Sequence, residues 1–158
     1  MTQNIKISSP ENCTKEELDS FKELVLLGGQ VDSNGLENRI LNCNLLAFCY
    51  SENEELIGVS AVKNKNINSV KLVRKKANFS DKEIPTQELG YSVTKAEHRV
   101  KGINRLLNNQ LLDNLGGEKI FATTDNDTMR KYLLSKGFSK KGQSFKGKYN
   151  TNLEYYEK

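Results

Sequence analysis

Arg99-Val100-Lys101-Gly102-Ile103-Asn104 places two cations and a glycine at the mouth of an amphipathic segment. The first backbone N–H groups of a helix have no internal partners, and the aligned peptide dipoles make that end positive. An anion such as a diphosphate fits such an end when backbone can approach it closely. Gly102 removes the side chain that would stand in the way, and Arg99 and Lys101 add charge. An ordinary strand-to-helix turn is the plainer reading of the same glycine. Other chemistry is scarce. The chain has one histidine, His98, in this same loop, and three cysteines, Cys13, Cys43 and Cys49, without Cys-x-x-Cys spacing. Neither a zinc site nor a Ser/His/Asp arrangement is credible from that set, and reduced thiols in a cytoplasmic protein are expected.

The elements that must position the loop are legible from periodicity. "NIKIS" alternates like a short strand. "CTKEELDSFKELVLLGG" reads as a helix: Thr14 and Glu17 have capping-box spacing, Leu18, Phe21, Leu24, Val25 and Leu27 line one face, and Gly28-Gly29 ends it. "DSNGLENRILNC" reads as a second, short helix. "NLLAFCYS" and "LIGVSAVKN" form a hairpin across the polar turn "ENEE". "NSVKLVRKKAN" reads as a helix with Val70, Val73 and Ala77 inward and Ser69 as its cap, or as an irregular strand. "TQELGYSVT" is a strand, with Tyr91 in the core. "GINRLLNNQLLDNLGG" is a helix with Ile103, Leu106, Leu107, Gln110, Leu111 and Leu115 at helical spacing. "EKIFATT" is a strand, with Phe121 in the core, and "NDTMRKYLLSKGF" is a helix that Asp125 is placed to cap. The tail "FSKKGQSFKGKYNTNLEYYEK" reads as a closing hairpin. This order defines a mixed α/β domain spanning 1–158, in which the strands either side of the 103–115 helix run parallel.

Composition bounds the partners. Lys+Arg number 24 and Asp+Glu 20, a net charge of +4, which permits an anionic ligand without demanding nucleic acid. The excess is local, with Lys63, Lys65, Lys71, Arg74, Lys75 and Lys76 in one stretch and Lys136, Lys140, Lys141, Lys146 and Lys148 in another. No run approaches the ~18–20 apolar residues of a membrane span. The N-terminus lacks the basic-then-apolar order of a secretory signal.

Three motifs in series resemble the GNAT superfamily of N-acyltransferases. Glu88-Leu89-Gly90-Tyr91-Ser92-Val93 resembles its Glu-Leu-x-x-x-x-Val strand. Arg99-x-x-Gly102-x-Asn104 resembles its Gln/Arg-x-x-Gly-x-Gly/Ala loop. Asn126-x-x-Met129 followed by Gly137-Phe138 resembles its Asn-x-x-Ala/Met…Gly-Phe helix. The resemblance covers roughly residues 40 to 158, and the tract is similar to members found in phages and mobile elements. It implies a GNAT fold with a splayed parallel strand pair, and acetyl-CoA as donor. The loop amides from Arg99 through Val100, Lys101, Gly102 and Ile103 to Asn104 would hold the CoA diphosphate. The backbone near Val93 would pair with the pantetheine arm like an added strand, and Asn126 would face that arm or the departing sulfur.

The implied reaction is direct transfer of acetyl to an amine in a ternary complex. A lysine-like ammonium is only about 0.1% neutral at pH 7.4, and a positioned carboxylate base typically adds 10²–10⁴-fold. Glu88, eleven residues before Arg99, has the spacing of family members whose base is a glutamate on this strand. The plainer reading of Glu88 is a carboxylate in a surface ion pair. Two positions depart from the pattern. Asn104 stands where glycine or alanine is usual, so its side chain must point away or bond the phosphate itself. Leu133 stands where many members carry a tyrosine as general acid; Tyr132 is one residue earlier, about 100° around the helix, and is the candidate acid in its place. The acceptor, a small molecule or a protein amine, is not readable, and a homodimer is compatible with the family. The alternative is a non-catalytic binding module that uses the basic segment "KLVRKKANFSDK" on nucleic acid or protein.

Overall fold

A computed structural model of the chain describes residues 3–99, 101–149 and 152–158. Along it run β1 (Asn4–Ser8), α1 (Lys15–Leu27), α2 (Leu36–Leu41), β2 (Cys43–Tyr50), β3 (Leu56–Asn64), α3 (Ile67–Lys76), β4 (Gln87–Thr94), α4 (Ile103–Leu115), β5 (Phe121–Thr124), α5 (Asp127–Ser135), β6 (Ser139–Lys140) and β7 (Glu154–Glu157). The strands order β1-β2-β3-β4-β5-β7-β6 in one seven-stranded mixed sheet. β1 with β2, β2 with β3, β5 with β7 and β6 with β7 are antiparallel. β4 with β5 is parallel, at the single register pair Glu88–Phe121. The mixed α/β class and the parallel pair agree with the sequence reading. The tail differs in detail: β7 pairs with both β5 and β6, so it is an inner strand as well as half of a hairpin.

The chain forms two compact units. The first, 1–63 with 89–116, is built on Phe21, Leu24, Val25, Leu36, Ile40, Leu46, Phe48, Val59 and Tyr91. Phe21 meets the rings of Phe48 and Tyr91 edge-on, at centroid distances of 5.5 and 6.4 Å, a favoured aromatic geometry. α1 starts with the expected capping box: Thr14 accepts from the Glu17 amide while the Glu17 carboxylate accepts from the Thr14 amide.

The second unit, 64–88 with 117–158, packs Val70, Ala77, Phe121 and Tyr155. The basic segment is the helix α3, Ile67–Lys76, but its cap is Asn66, whose Oδ1 accepts from the Ser69 amide at 3.0 Å. Ser69 lies inside the helix. Likewise Asn126, not Asp125, caps α5, by accepting from the Met129 amide at 3.0 Å. A cap must reach an amide two or three residues on, and in both cases the asparagine just before the first helical residue is the one in range. Arg74, counted in the basic stretch, is buried. Its Nε donates to Glu157 Oε2 at 3.1 Å and Tyr155 Oη at 3.2 Å, and its Nη2 donates to the Glu83 carbonyl at 2.6 Å. One cation of the proposed basic face is therefore spent inside the fold.

Candidate functional site

β4 delivers the chain to the loop, and β3 fixes the loop's start. The Lys95 amide donates to the Ile57 carbonyl at 2.9 Å, and Lys95 Nζ pairs with Glu55 at 2.5 Å. A short 3-10 turn, Ala96–His98, follows. Arg99 Nε donates back to the Thr94 carbonyl at 3.2 Å, and Arg99, Lys101 and Gly102 are exposed. Val100 lies outside the described residues.

Gly102 sits at the N-cap of α4 with φ +76°, and a Cβ built on it would meet nothing within 4 Å. No protein crowding requires glycine here. The left-handed φ requires it, and the space above the backbone is open. α4 has no side-chain cap and no acidic residue in its first turn. Its first amides therefore have no acceptor from a capping side chain. The helix is seated close to the sheet: a Cβ on Gly58 would lie 2.7 Å from Ile103 Cγ2.

Asn104 points away from the exposed helix end. Its Oδ1 accepts from Asn108 Nδ2 at 2.9 Å. Asn108, only 1% exposed, in turn accepts from Ser60 Oγ at 2.6 Å, and Ser60 is 2.7 Å from Ser92 Oγ. The apolar stripe of α4 is Ile103, Leu107 and Leu111, whereas Leu106 is 40% exposed and Gln110 is also exposed. At roughly 100° per residue, Asn104 and Asn108 fall on the buried flank and Leu106 on the far side. The sequence reading missed Asn108. Its signals were an asparagine pair four apart and a serine breaking each of two apolar strands, "LIGVSAV" and "LGYSV".

On β4, Tyr91 has φ +54°. A non-glycine residue held there is strained by about 1–3 kcal/mol, and such residues cluster at functional sites. The residue is 8% exposed, and Lys63 Nζ lies 4.2 Å from its ring centroid. Val93, two residues on, is half-buried beside Gly28. Glu88 opens the strand. Its side chain is 12% exposed, and Oε1 lies 3.9 Å from Lys65 Nζ, so the ion pair of the plainer reading is present but loose.

In the second unit, Asn126 spends its Oδ1 on the α5 cap, which leaves the Nδ2 side of its carboxamide for any ligand. Tyr132 is 7% exposed and Leu133 is fully buried, so neither presents a large surface. No thiol is poised as a nucleophile. Cys43 and Cys49 are buried, and burial raises the Cys13 and Cys49 pKa values, which favours the neutral thiol.

The backbone matches solved structures over nearly its whole length. ElaA from Escherichia coli superposes with a TM-score of 0.74 at 10% identity, covering 99% of both chains. An acyl-CoA N-acyltransferase from Pseudomonas aeruginosa gives 0.72 at 11%, again covering 99% of both. A GNAT-family acetyltransferase from Streptococcus agalactiae gives 0.70 at 14%, covering 98% of this chain and 94% of that one. No protein-family model matches the sequence, and no curated protein matches it. The fold is that of the GNAT acyltransferases.

Proposed function

We propose that the protein is an acetyl-CoA-dependent N-acetyltransferase. The observation that carries this reading is the start of α4. It is an uncapped helix end behind a left-handed glycine with open space above it, flanked by Arg99 and Lys101, on a GNAT backbone. In this reading the amides of the Arg99–Asn104 loop bind the CoA diphosphate. The backbone of β4 near Val93 takes the pantetheine arm as an added strand, and the Asn126 carboxamide nitrogen faces that arm. The same β4 amides can polarise the thioester carbonyl as negative charge develops on its oxygen.

Transfer is direct. The amine nitrogen attacks the acetyl carbonyl, the C–N bond forms, the C–S bond breaks, and the CoA sulfur leaves as thiolate. The burial of Cys43 and Cys49 and the raised pKa values of Cys13 and Cys49 favour this route over an acyl-enzyme. Glu88 takes the proton from the ammonium, directly or through a water. Tyr132 is the candidate donor to the thiolate. A thiolate with a reference pKa near 8.5 is a tolerable leaving group, so Tyr132→Phe should slow turnover less than Glu88→Gln. The acceptor is an amine of a small molecule or a protein, and the protein acts in the cytoplasm.

The test is release of free CoA thiol from acetyl-CoA with a panel of amines, across pH, for wild type and Glu88→Gln. A base role gives the variant a rate lower by about 10²–10⁴-fold at neutral pH, with the gap closing as pH approaches the amine pKa. Equal rates at every pH would remove Glu88 from the chemistry.

A further inference from the structure

The bulky residue at the third loop position requires an explanation, and the buried polar chain beside it supplies one. Ser60 is fully buried and Asn108 is 1% exposed, yet both are polar. Proton direction follows from the partners. Asn108 Nδ2 donates to Asn104 Oδ1 at 2.9 Å, so Asn108 Oδ1 is the acceptor for Ser60 at 2.6 Å. Ser60 Oγ makes its shortest contact with that oxygen and a longer one with the Gly90 carbonyl at 3.3 Å, and Ser92 Oγ lies 2.7 Å from Ser60 Oγ and 3.4 Å from Asn108 Oδ1. The contacts tie Ser92 on β4 and Ser60 on β3 to Asn108, and Asn108 to Asn104 on the first turn of α4.

We propose that Asn108 is a positioning residue that holds the Asn104 side chain out of the anion cradle. This inference rests on the diphosphate-binding role given above to the start of α4. Asn104 is the second residue of α4, and a short carboxamide there can fold back onto its own or a neighbouring open amide. A carboxamide oxygen on those amides would compete with a phosphate oxygen. The bond from Asn108 removes that competitor, and Ser60 and Ser92 fix the face that Asn108 presents. Asparagine at this position is then tolerated because a second asparagine, one turn along, restrains it.

The experiment measures binding of 3′-phospho-ADP by calorimetry in wild type, Asn108→Leu, Asn104→Ala and the double variant. A side chain that leaves the cradle open about a tenth of the time raises the apparent dissociation constant about tenfold, the change expected for Asn108→Leu. Asn104→Ala keeps its backbone amide and removes the side chain to be restrained, so it is the reference for the double variant. The double variant should bind within about threefold of Asn104→Ala, because nothing remains to be restrained. A residue that acted only through general stability would show no such rescue. If Asn108→Leu fails to fold, Asn108→Ser, too short to reach Asn104, takes its place with the same expectation.

Wild-type-like binding by the Asn108 variant would overturn the proposal. So would a double variant as weak as the Asn108 variant alone. NMR of the Asn104 side-chain amide, without ligand, separates this proposal from the functional reading. Order in wild type that is lost on removing Asn108 sustains the restraint even if wild type binds no nucleotide, in which case only the diphosphate role falls. Unchanged order overturns the restraint whatever binds.

Discussion

The starts of α4 and α5 are built on opposite principles. α5 is closed by its own sequence: Asn126 accepts from the Met129 amide, and Asp127 puts a carboxylate in the first turn. α1 is closed more completely still, with a reciprocal capping box and both Glu16 and Glu17 in its first turn. α4 has Gly102 at its cap, no side-chain acceptor, and exposed Arg99 and Lys101 just before it. The chain caps α1, α3 and α5 with side chains, whereas α2 and α4 both start behind a left-handed glycine, which gives up roughly a few tenths of a kcal/mol; α2 still has Glu37 in its first turn, and α4 has no carboxylate there. An anion from outside can supply what the sequence withholds. In the proposed reading, the end without a carboxylate is the one that takes the cofactor's anion.

Variants at four positions can break or sharpen that contrast. Gly102→Val should have the largest effect. A β-branched residue at φ +76° costs about 1–3 kcal/mol, so acetyl-CoA affinity should fall roughly tenfold or more in a calorimetric titration, and unchanged affinity would detach the glycine from binding. Lys101→Glu comes next, with an expected loss of about tenfold in 0.05 M salt that shrinks at 0.5 M as the charges are screened. A loss independent of salt would mean that the effect is not electrostatic.

At the closed end, Asn126→Ala should cost about 1 kcal/mol, a fall of about 2–4 °C in Tm for a chain of this size. Asn126→Asp keeps the capping oxygen and should preserve Tm. If the carboxamide nitrogen serves the donor arm, the aspartate variant loses turnover without losing stability, and full turnover would confine Asn126 to its cap.

Glu17→Gln should be the mildest and should leave acetyl-CoA binding alone. Lys6 Nζ, 2.5 Å away, lowers the Glu17 pKa below its ordinary 4.5. A carboxylate depressed in the folded state stabilises above its unfolded pKa and loses that contribution as pH falls through the folded value. Wild type should therefore lose more stability than Glu17→Gln as pH drops below about 4.5, as read by urea unfolding. Parallel curves would show that the ion pair contributes nothing.

Much of this is legible in the residue order alone. The α1 box, the β2–β3 hairpin and the α4 helix follow from spacing, because cap residues and apolar periods act locally. The turn into α4 is legible as well, since Gly102 just before the apolar period marks where the helix starts. Three features are not legible, and each depends on contacts between residues distant in sequence. Arg74 reads as one more surface cation, and only the arrival of Glu157 and Tyr155 from β7 makes it internal. Asn108 reads as a polar interruption of a helix, and only Ser60 on β3 makes it a link. The positive φ of Tyr91 has no residue-type signature, because tyrosine is an ordinary strand residue. The caps at Asn66 and Asn126 are missed by one to three positions for a smaller reason: neighbouring Ser69 and Asp125 have equal capping chemistry, and only the helix start decides between them.

The most direct test of the account is the amide NMR spectrum of the protein titrated with 3′-phospho-ADP. Saturable shifts are expected at Gly102, Ile103 and Asn104, with the amides of Thr128 and Met129 at the capped start of α5 unmoved. Shifts at α5 with silence at α4, or silence at both, would contradict the assignment of the open helix end to a cofactor diphosphate.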